Sequence, residues 1–497
     1  MLGGAVAIFV GILYVGTLAP TVLPYGAPDT LDSPMLQAEV SVLGVGHPTG
    51  YSTYMMLTHL FTYLPFGDPA YRVNLASAVY AAGAVFLVYF VCLRLTRRVV
   101  PSVAGALLFG TSETFWSQAL IAEVYILNAL LVAAIILVLF VWRKERKDRY
   151  LLLAAFLAGL SLTHHLTSGL LVPAGLLFVL LVDRGRLADL RLVLKGAGLF
   201  LLGLLPYLYL PVRASMEFTR WTISIDPTFV RYDPSSLRGF LDLVSGGDFK
   251  GAMFAFGSAE IPARAAYYFG YLLEQFHPGF LVVALLGATW LILMDHAAAV
   301  LLGSLYLGWL FYALEYDISD VYYYFIPTYL ILAIFVAAGF AALLYAFQRL
   351  LADRPLRKTV VALASAVFVV ASLAGVSETY ADVDRSRDYE GRVALEAVAA
   401  KTETGATVVH HRSPLWYMNL VEGRRLDLNL VASLDLTFDR GDLKIIRAAL
   451  AEGSVYILYP SEANASLLKE HGLDLVPVEG STLYELLPTY ALGRNEV

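Results

Sequence analysis

Residues 31–51 read LDSPMLQAEVSVLGVGHPTGY and lie between two apolar runs of the chain. The wider segment 24–71 contains no lysine and no arginine, although it is rich in other polar groups. Its carboxylates and imidazoles are Asp29, Asp32, Glu39, Asp68, His47 and His59. Acids and histidines that gather beside apolar helices indicate either a catalytic site or a polar path in a membrane.

The composition of the whole chain is that of a membrane protein. Of its 497 residues, 58% are hydrophobic and 15% are charged, and the mean hydropathy is +0.67. Several apolar runs reach about 20 residues, which is enough to cross a hydrocarbon core. We therefore predict a polytopic α-helical membrane protein. The single cysteine, Cys92, cannot form an intrachain disulfide, and no cleavable signal peptide is expected because the first apolar run lacks a basic flank.

Basic residues are concentrated in four clusters, at 94–98, 143–149, 184–195 and 349–358. The positive-inside rule places all four on the cytoplasmic side. The apolar runs between them then predict about 11 transmembrane helices, the first at 3–22 and the last at 359–377. We expect a multi-pass protein of the plasma (inner) membrane with a cytoplasmic N-terminus.

The chain is predicted to have two domains. Residues 1–377 form a transmembrane domain with outer loops at 24–70 and 214–264, and residues 378–497 form a small extracytoplasmic α/β domain. In this second domain the patterns predict helices near 388–403 and 441–452 and strands near 406–409, 426–431 and 455–458. No glycine-rich phosphate loop opens its helices, so no nucleotide is predicted.

Further polar residues of the transmembrane domain map to the same outer side: Glu113, Glu123, His164, His165, Arg213, Glu315, Asp317 and Asp320. Those at helix ends could simply lie among lipid headgroups, whereas Glu123 is deeper in an apolar run and indicates a partner or a function. Adjacent helical residues such as His164 and His165 point about 100° apart, which does not favour a shared metal ion. No metal site is predicted, but a divalent cation stays open as a cofactor, because carboxylates and carbonyls suit hard cations although no ligand spacing requires one.

Five ordered motifs carry a resemblance to a known family. They lie at 31–33, 43–51, 71–78, 114–128 and 206–213. In these motifs the chain resembles a bacterial multipass family related to the vertebrate transmembrane protein O-mannosyltransferase that acts on plexin-type receptors. That family belongs to the GT-C superfamily of membrane glycosyltransferases. The resemblance continues weakly into the second domain at 421–427.

The resemblance implies a function and a catalytic residue. It implies an inverting glycosyltransferase that moves a mannose-like sugar from a polyprenyl-phosphate donor to an extracytoplasmic acceptor, such as a protein hydroxyl or a glycan. Asp32 would be the catalytic carboxylate. The chain departs from the family where relatives often carry a second acid, because Met35 stands there, and Glu39 is the nearest substitute on a helix. Relatives also tend to carry an aspartate where this chain reads His410-His411-Arg412.

The chemistry of such a transfer selects further residues. A carboxylate can accept the proton of the attacking hydroxyl, and an inverting route needs no covalent nucleophile. The departing lipid phosphate needs cations or hydrogen-bond donors. We predict that His47, Arg72, His164 and Arg213 are the candidates for this contact, and that Tyr51, Glu123 and Trp221 also bind substrate. The lipid-linked sugar would be a co-substrate in the bilayer, and no nucleic-acid partner is expected.

Two other functions stay open on the sequence alone. A transporter or flippase for a lipid-linked or polar substrate would also carry intramembrane charges, but its site should lie near the membrane midplane. A non-catalytic cell-envelope scaffold would tolerate the loss of Asp32. The crowding of polar residues on one side favours the transferase.

Overall fold

The computed structural model of the protein describes residues 1–25, 32–216, 232–352, 354–432 and 440–489. Apolar helices dominate as far as residue 383, followed by a small domain built on a sheet. The helices of the first part are Leu2–Gly16, Ser33–Val42, Ser52–His59, Pro69–Thr96, Val99–Gly110, Glu113–Gln118, Tyr125–Glu145, Asp148–Leu162, Leu171–Asp183, Gly185–Ala188, Leu190–Gly203, Tyr209–Ala214, Leu237–Val244, Ile261–Gln275, Pro278–Met294, His296–Leu314, Ile326–Leu350, Arg357–Ala371 and Val376–Val383. Short 3₁₀ turns lie at Leu60–Tyr63, Leu166–Leu170, Leu205–Leu208, Gly247–Ala252 and Val321–Phe325.

Among the described residues, seven helices are long and apolar enough to cross a membrane, or up to eight if the bent pair Ile261–Gln275 and Pro278–Met294 forms one span. Two shorter apolar helices, Leu2–Gly16 and Val99–Gly110, lie where further spans are predicted. The structure therefore confirms a multi-pass helical protein and leaves the count of about 11 spans unconfirmed. In the span Leu190–Ala214, only 11% of the apolar window is buried, so lipid must cover most of this helix.

Close helix packing shapes the bundle. The helices Pro278–Met294 and Ile326–Leu350 meet at two glycines, Gly287 and Gly339. A Cβ atom on Gly339 would lie 1.9 Å from the carbonyl oxygen of Val283, and one on Gly287 would lie 1.9 Å from that of Phe335. The missing side chains let the two backbones approach each other, as is common for small residues between membrane helices.

The basic clusters lie together at one end of the bundle. Arg143 donates to both carboxylate oxygens of Asp295 at 2.7 Å, and Arg98 donates to the side chain of Gln348 at 2.7 Å. The helix Tyr125–Glu145 has 21 residues, so its first residue lies about 30 Å from this end. The polar segment that contains Asp32 is at the opposite end, where Tyr125 begins its helix.

The small domain contains a five-stranded sheet. Its strands are β1 (Thr407–His410), β2 (Asn429–Ala432), β3 (Val455–Leu458), β4 (Leu473–Pro477) and β5 (Leu483–Pro488). Their order is β2-β1-β3-β5-β4, with β1 parallel to both neighbours and β5 antiparallel to both of its neighbours. Its helices are Glu390–Lys401, Arg440–Glu452 and Glu462–Glu470, and a π-helical turn covers Tyr417–Val421.

The sheet is covered on both faces. Val408 and Tyr456 pack in a cluster with Leu395 of the helix Glu390–Lys401, whereas Val409 packs on the other face with Ile446 of the helix Arg440–Glu452. Every residue of the central strands β1 and β3 is buried, as expected for parallel strands between helices. The predicted small α/β domain is therefore present, with one helix and two strands more than the sequence indicated.

The core of the small domain extends into residues 24–71, the first polar segment. Met35 and Ala38 of the helix Ser33–Val42 belong to the same apolar cluster as Leu415 and Trp416. Met35 is 1% exposed, so an acid at this position would be buried among apolar side chains. Met35 thus fits the apolar surface of the small domain.

Candidate active site

A cavity of about 300 Å³ opens at the polar end of the bundle. Four parts of the chain form it: the first polar segment, the stretch 246–253, the polar ends of the bundle helices around residues 125, 165–167 and 312–324, and a turn of the small domain. The lining residues are Tyr25, Asp32, His47, Pro48, Thr49, Tyr51, Tyr125, His165, Leu166, Thr167, Gly246, Phe249, Met253, Tyr312, Tyr316, Ile318, Ser319, Asp320, Tyr324, His411 and Arg412.

Asp32 lies at the wall of this cavity, directly before the helix Ser33–Val42. Its Oδ1 accepts a hydrogen bond from Nη1 of Arg412, and its Oδ2 lies 3.5 Å from Nε2 of His47. Burial opposes ionisation of the carboxyl, but the positive charge of Arg412 and its hydrogen bond to Asp32 outweigh it and lower the pKa of Asp32. Asp32 is therefore an ionised carboxylate at neutral pH.

His47 is held by the turn that follows it. The N–H of Gly50 donates to the carbonyl of His47 at 2.7 Å, and Gly50 has a φ of +82°, which glycine adopts without strain. The imidazole packs edge-on against Tyr51 with ring centroids 5.0 Å apart. Burial lowers the pKa of His47, and Arg412 opposes its protonation while Asp32 favours it. The ring is therefore a neutral hydrogen-bonding group beside Asp32 at pH 7.

Tyrosines form the wall opposite Asp32. The Tyr125 and Tyr324 ring centroids are 5.5 Å apart, and those of Tyr316 and Tyr324 are 5.1 Å apart. The Tyr125 hydroxyl donates to Oδ2 of Asp320 at 3.0 Å. Burial and the negative charge of Asp32 raise the pKa of Asp320 to about 6. Aromatic faces with hydroxyls and a carboxyl can hold a sugar ring by stacking and by hydrogen bonds.

Two of the predicted substrate residues lie behind the cavity wall. Glu123 is 5% exposed, and Nε2 of His164 donates to the carbonyl of Val124 at 2.8 Å, which leaves Nδ1 as the unprotonated nitrogen. The His164 ring is stacked on Tyr54, with centroids 6.1 Å apart. Neither residue lines the cavity, whereas the neighbouring His165 does.

The two predicted arginines bind backbone carbonyls. Arg72 donates to Phe66, Thr62 and Gly67, and so closes the loop before its own helix. Arg213 donates to the carbonyls of Leu43 and Val42 at 2.6 and 3.0 Å. These are carbonyls at the end of the helix Ser33–Val42, where cations are favourable. Neither arginine lines the cavity, and the predicted Trp221 lies outside the described residues.

Arg412 lines the cavity but is not among the site residues predicted from the sequence. Among the described residues that line the cavity, it alone is a lysine or arginine. It reaches Asp32 across 380 positions of sequence. Its signal in the sequence is the stretch His410-His411-Arg412, where the resemblance led us to expect an aspartate. The substitute acid Glu39 is buried near Gly46 and does not line the cavity.

A metal site is not indicated by the described part of the chain, in which no three histidine, cysteine or acidic side chains are grouped to hold a metal ion. The cavity's acids, Asp32 and Asp320, are instead engaged by Arg412 and by the Tyr125 hydroxyl.

Sequence comparison matches the segment that contains Asp32 and His47. Residues 32–187 match the family model described as the protein O-mannosyl-transferase TMEM260 N-terminal domain. The mouse protein O-mannosyl-transferase TMEM260 is 36% identical over 250 residues, which are 48% of this chain and 33% of that protein. The Dictyostelium discoideum protein O-mannosyl-transferase tmem260 is 23% identical over 216 residues, which are 40% of this chain and 25% of that protein. The matches therefore span a third or less of these relatives.

Structure comparison extends the similarity to the whole fold. ArnT from Cupriavidus metallidurans bound to undecaprenyl phosphate superimposes with a TM-score of 0.61 and 11% identity, covering 98% of this chain and 97% of that one. The Archaeoglobus fulgidus oligosaccharyltransferase in its apo form gives a TM-score of 0.54 at 12% identity, covering 91% and 69%. These solved structures share the fold of the chain. The resemblance seen in the motifs is thus confirmed as a similarity: residues 32–187 match the model of the TMEM260 N-terminal domain, and the whole chain shares the fold of ArnT and of the oligosaccharyltransferase.

Proposed function

We propose that the protein transfers a sugar from a polyprenyl-phosphate sugar to an acceptor hydroxyl outside the cytoplasm, with inversion at the anomeric carbon. The observation that carries the proposal is the position of Asp32, an ionised carboxylate on the wall of a cavity at the polar end of an apolar bundle. This residue opens the segment that matches the family model.

The proposed reaction has one displacement step. The acceptor oxygen forms a bond to the anomeric carbon while the bond from that carbon to the phosphate oxygen breaks, and its electron pair stays on the phosphate. The acceptor proton passes to Asp32, which returns it to solvent. A carboxylate within about 2.6–3.2 Å of the hydroxyl can perform this transfer, and the route needs no second carboxylate.

The donor class is supported by fold and by charge. ArnT, whose fold the chain shares, was crystallised with undecaprenyl phosphate. The names of the sequence relatives suggest mannose as the sugar and a protein as the acceptor. The basic clusters lie at the end of the bundle opposite the cavity, which supports a cytoplasmic N-terminus and an extracytoplasmic small domain in the plasma (inner) membrane.

A donor panel tests this function. The purified protein in lipid nanodiscs is incubated with polyprenyl-phosphate sugars and with acceptor peptides or glycans, and the anomeric configuration of the product is determined. We expect transfer from at least one donor with inverted configuration. Movement of a lipid-linked sugar across liposomes without any transfer would instead support the flippase, and a retained configuration would contradict the single displacement.

A further inference from the structure

The turn that carries Arg412 is fixed by the small domain. It follows β1, and Nδ1 of His410 lies 3.0 Å from the hydroxyl of Ser413, which also accepts the N–H of Leu415 at 3.2 Å. Arg412 has a φ of +38°, a region that favours glycine, so its surroundings must hold it there. Strained backbone at a ligand site is a common sign of a functional constraint.

The small domain is itself docked on the first polar segment. Arg392 binds Asp68 at 3.0 Å, the Thr21 hydroxyl at 3.2 Å, and Glu422. The hydroxyl of Tyr417 accepts the N–H of Ala70 at 3.2 Å. These contacts join the small domain to the start of the helix Pro69–Thr96. The position of Arg412 beside Asp32 therefore depends on how the small domain is seated.

We propose that Arg412 exchanges partners during the reaction, binding Asp32 in the empty site and the phosphate of the lipid-linked donor in the loaded site. The inference rests on the proposed function and names the residue that receives the leaving group. The small domain thereby supplies a cation that none of the described residues of the transmembrane domain brings to the cavity lining.

Charge balance favours the exchange. A polyprenyl-phosphate sugar is a phosphodiester with one negative charge, and the phosphate that leaves carries nearly two. The attraction between Arg412 and this phosphate therefore grows as the bond to the sugar breaks. A guanidinium also matches the geometry of phosphate oxygens. Its side chain is 26% exposed and already lines the cavity.

The exchange also changes the basicity of Asp32. In the empty site, Arg412 and His47 engage the two oxygens of Asp32, and this lowers the affinity of the carboxylate for a proton. When Arg412 moves to the phosphate, Asp32 loses that partner and becomes a stronger base at the moment the acceptor needs one. Asp32 is thus a weaker base in the empty site than in the loaded site.

Other groups around Asp32 could share its titration. They are His47 and Tyr25 from the first segment, Tyr51 and Glu123 from the bundle side, Asp320 from the loop before residue 321, and His411 beside Arg412. Of these, the acids oppose ionisation of Asp32 when they are charged, the tyrosines are neutral where Asp32 titrates, and the histidines favour its ionisation only when protonated. Among these groups, Arg412 carries the permanent positive charge. Its removal should therefore raise the pKa of Asp32.

Binding measurements test the exchange directly. Wild type, Arg412→Gln and Arg412→Lys are titrated with polyprenyl phosphate and, separately, with the uncharged polyprenol. We expect Arg412→Gln to weaken polyprenyl phosphate binding at least tenfold, Arg412→Lys to restore part of it, and neither to change polyprenol binding. Arg447→Gln is the matched control, because Arg447 belongs to the same domain and binds the carbonyl of His471.

Kinetics separate this inference from the function on which it rests. In Arg412→Gln the KM for donor should rise, and the acidic limb of the kcat/KM profile should move to higher pH, since Arg412 holds the proton affinity of Asp32 down. Unchanged phosphate binding and an unchanged acidic limb would overturn the inference, even if wild type transfers sugar. Absence of transfer in wild type would overturn the proposed function, while the binding titration still decides the role of Arg412.

Discussion

Replacing Arg392 with methionine should loosen the small domain from the rest of the chain. The substitution keeps most of the apolar stem and removes the charge that binds Asp68 and Glu422. It also removes the guanidinium that lies 5.6 Å from the ring centre of Tyr417. Both acids then remain partly buried with one partner fewer.

The magnitude follows from the exposure of the ion pairs. An exposed pair contributes about 0.2–1 kcal/mol, and breaking a buried pair costs about 3–5 kcal/mol. Arg392 is 22% exposed and its partners Asp68 and Glu422 are 29% and 20% exposed, so an intermediate loss of about 2 kcal/mol is expected. This corresponds to roughly a 30-fold larger opening equilibrium.

Hydrogen exchange by mass spectrometry measures this opening in the peptides that cover β2 and the turn Tyr417–Val421. Arg424→Met is the matched control, because Arg424 is 39% exposed and binds Glu396 and Glu422 within the small domain. We expect faster exchange in Arg392→Met than in the control, together with a higher donor KM. Equal exchange in the two variants and wild type would refute the docking role of Arg392.

Three further predictions concern single residues. Burial raises the pKa of Asp320 to about 6, so the folded protein binds the proton of this carboxyl more tightly than the unfolded chain does. The free energy of unfolding should therefore fall as pH rises from about 4 to about 6. In thermal unfolding, Asp320→Asn should remove this part of the pH dependence. Gly339→Ala should destabilise the bundle by about 1–3 kcal/mol because the added Cβ has no room. Gly303→Ala should not, because a Cβ at Gly303 would have no atom within 4 Å. Equal melting temperatures of the two variants would contradict this prediction. Arg213→Met should lower thermal stability and leave the donor KM unchanged, and a raised KM would return Arg213 to the phosphate site.

The sequence predicted the parts of the site that are close along the chain. Asp32, His47 and Tyr51 lie within 20 positions of each other, and a turn with Pro48 and Gly50 suffices to bring them to one cavity. The first two helices and the first three strands of the small domain were also predictable, because apolar periodicity is a local signal. Trp221 and the span count of about 11 stay predictions.

The rest of the site depends on contacts that no local pattern encodes. Arg72 and Arg213 have the right charge for a phosphate, but in the structure their guanidinium groups donate to nearby backbone carbonyls. Arg412 belongs to a different domain, and only the docking of the small domain brings it to Asp32. The same docking explains Met35, whose burial among apolar side chains is set by residues more than 350 positions away.

The most direct test of the account is a single-turnover comparison of wild type and Asp32→Asn with a saturating polyprenyl-phosphate sugar and acceptor. The asparagine keeps the shape of the side chain and cannot accept the proton of the attacking hydroxyl. General-base catalysis typically contributes about 10²–10⁴-fold, so the account predicts a loss of transfer rate of at least 100-fold with polyprenyl phosphate still bound. A transfer rate within twofold of wild type would contradict the assignment of Asp32 as the base.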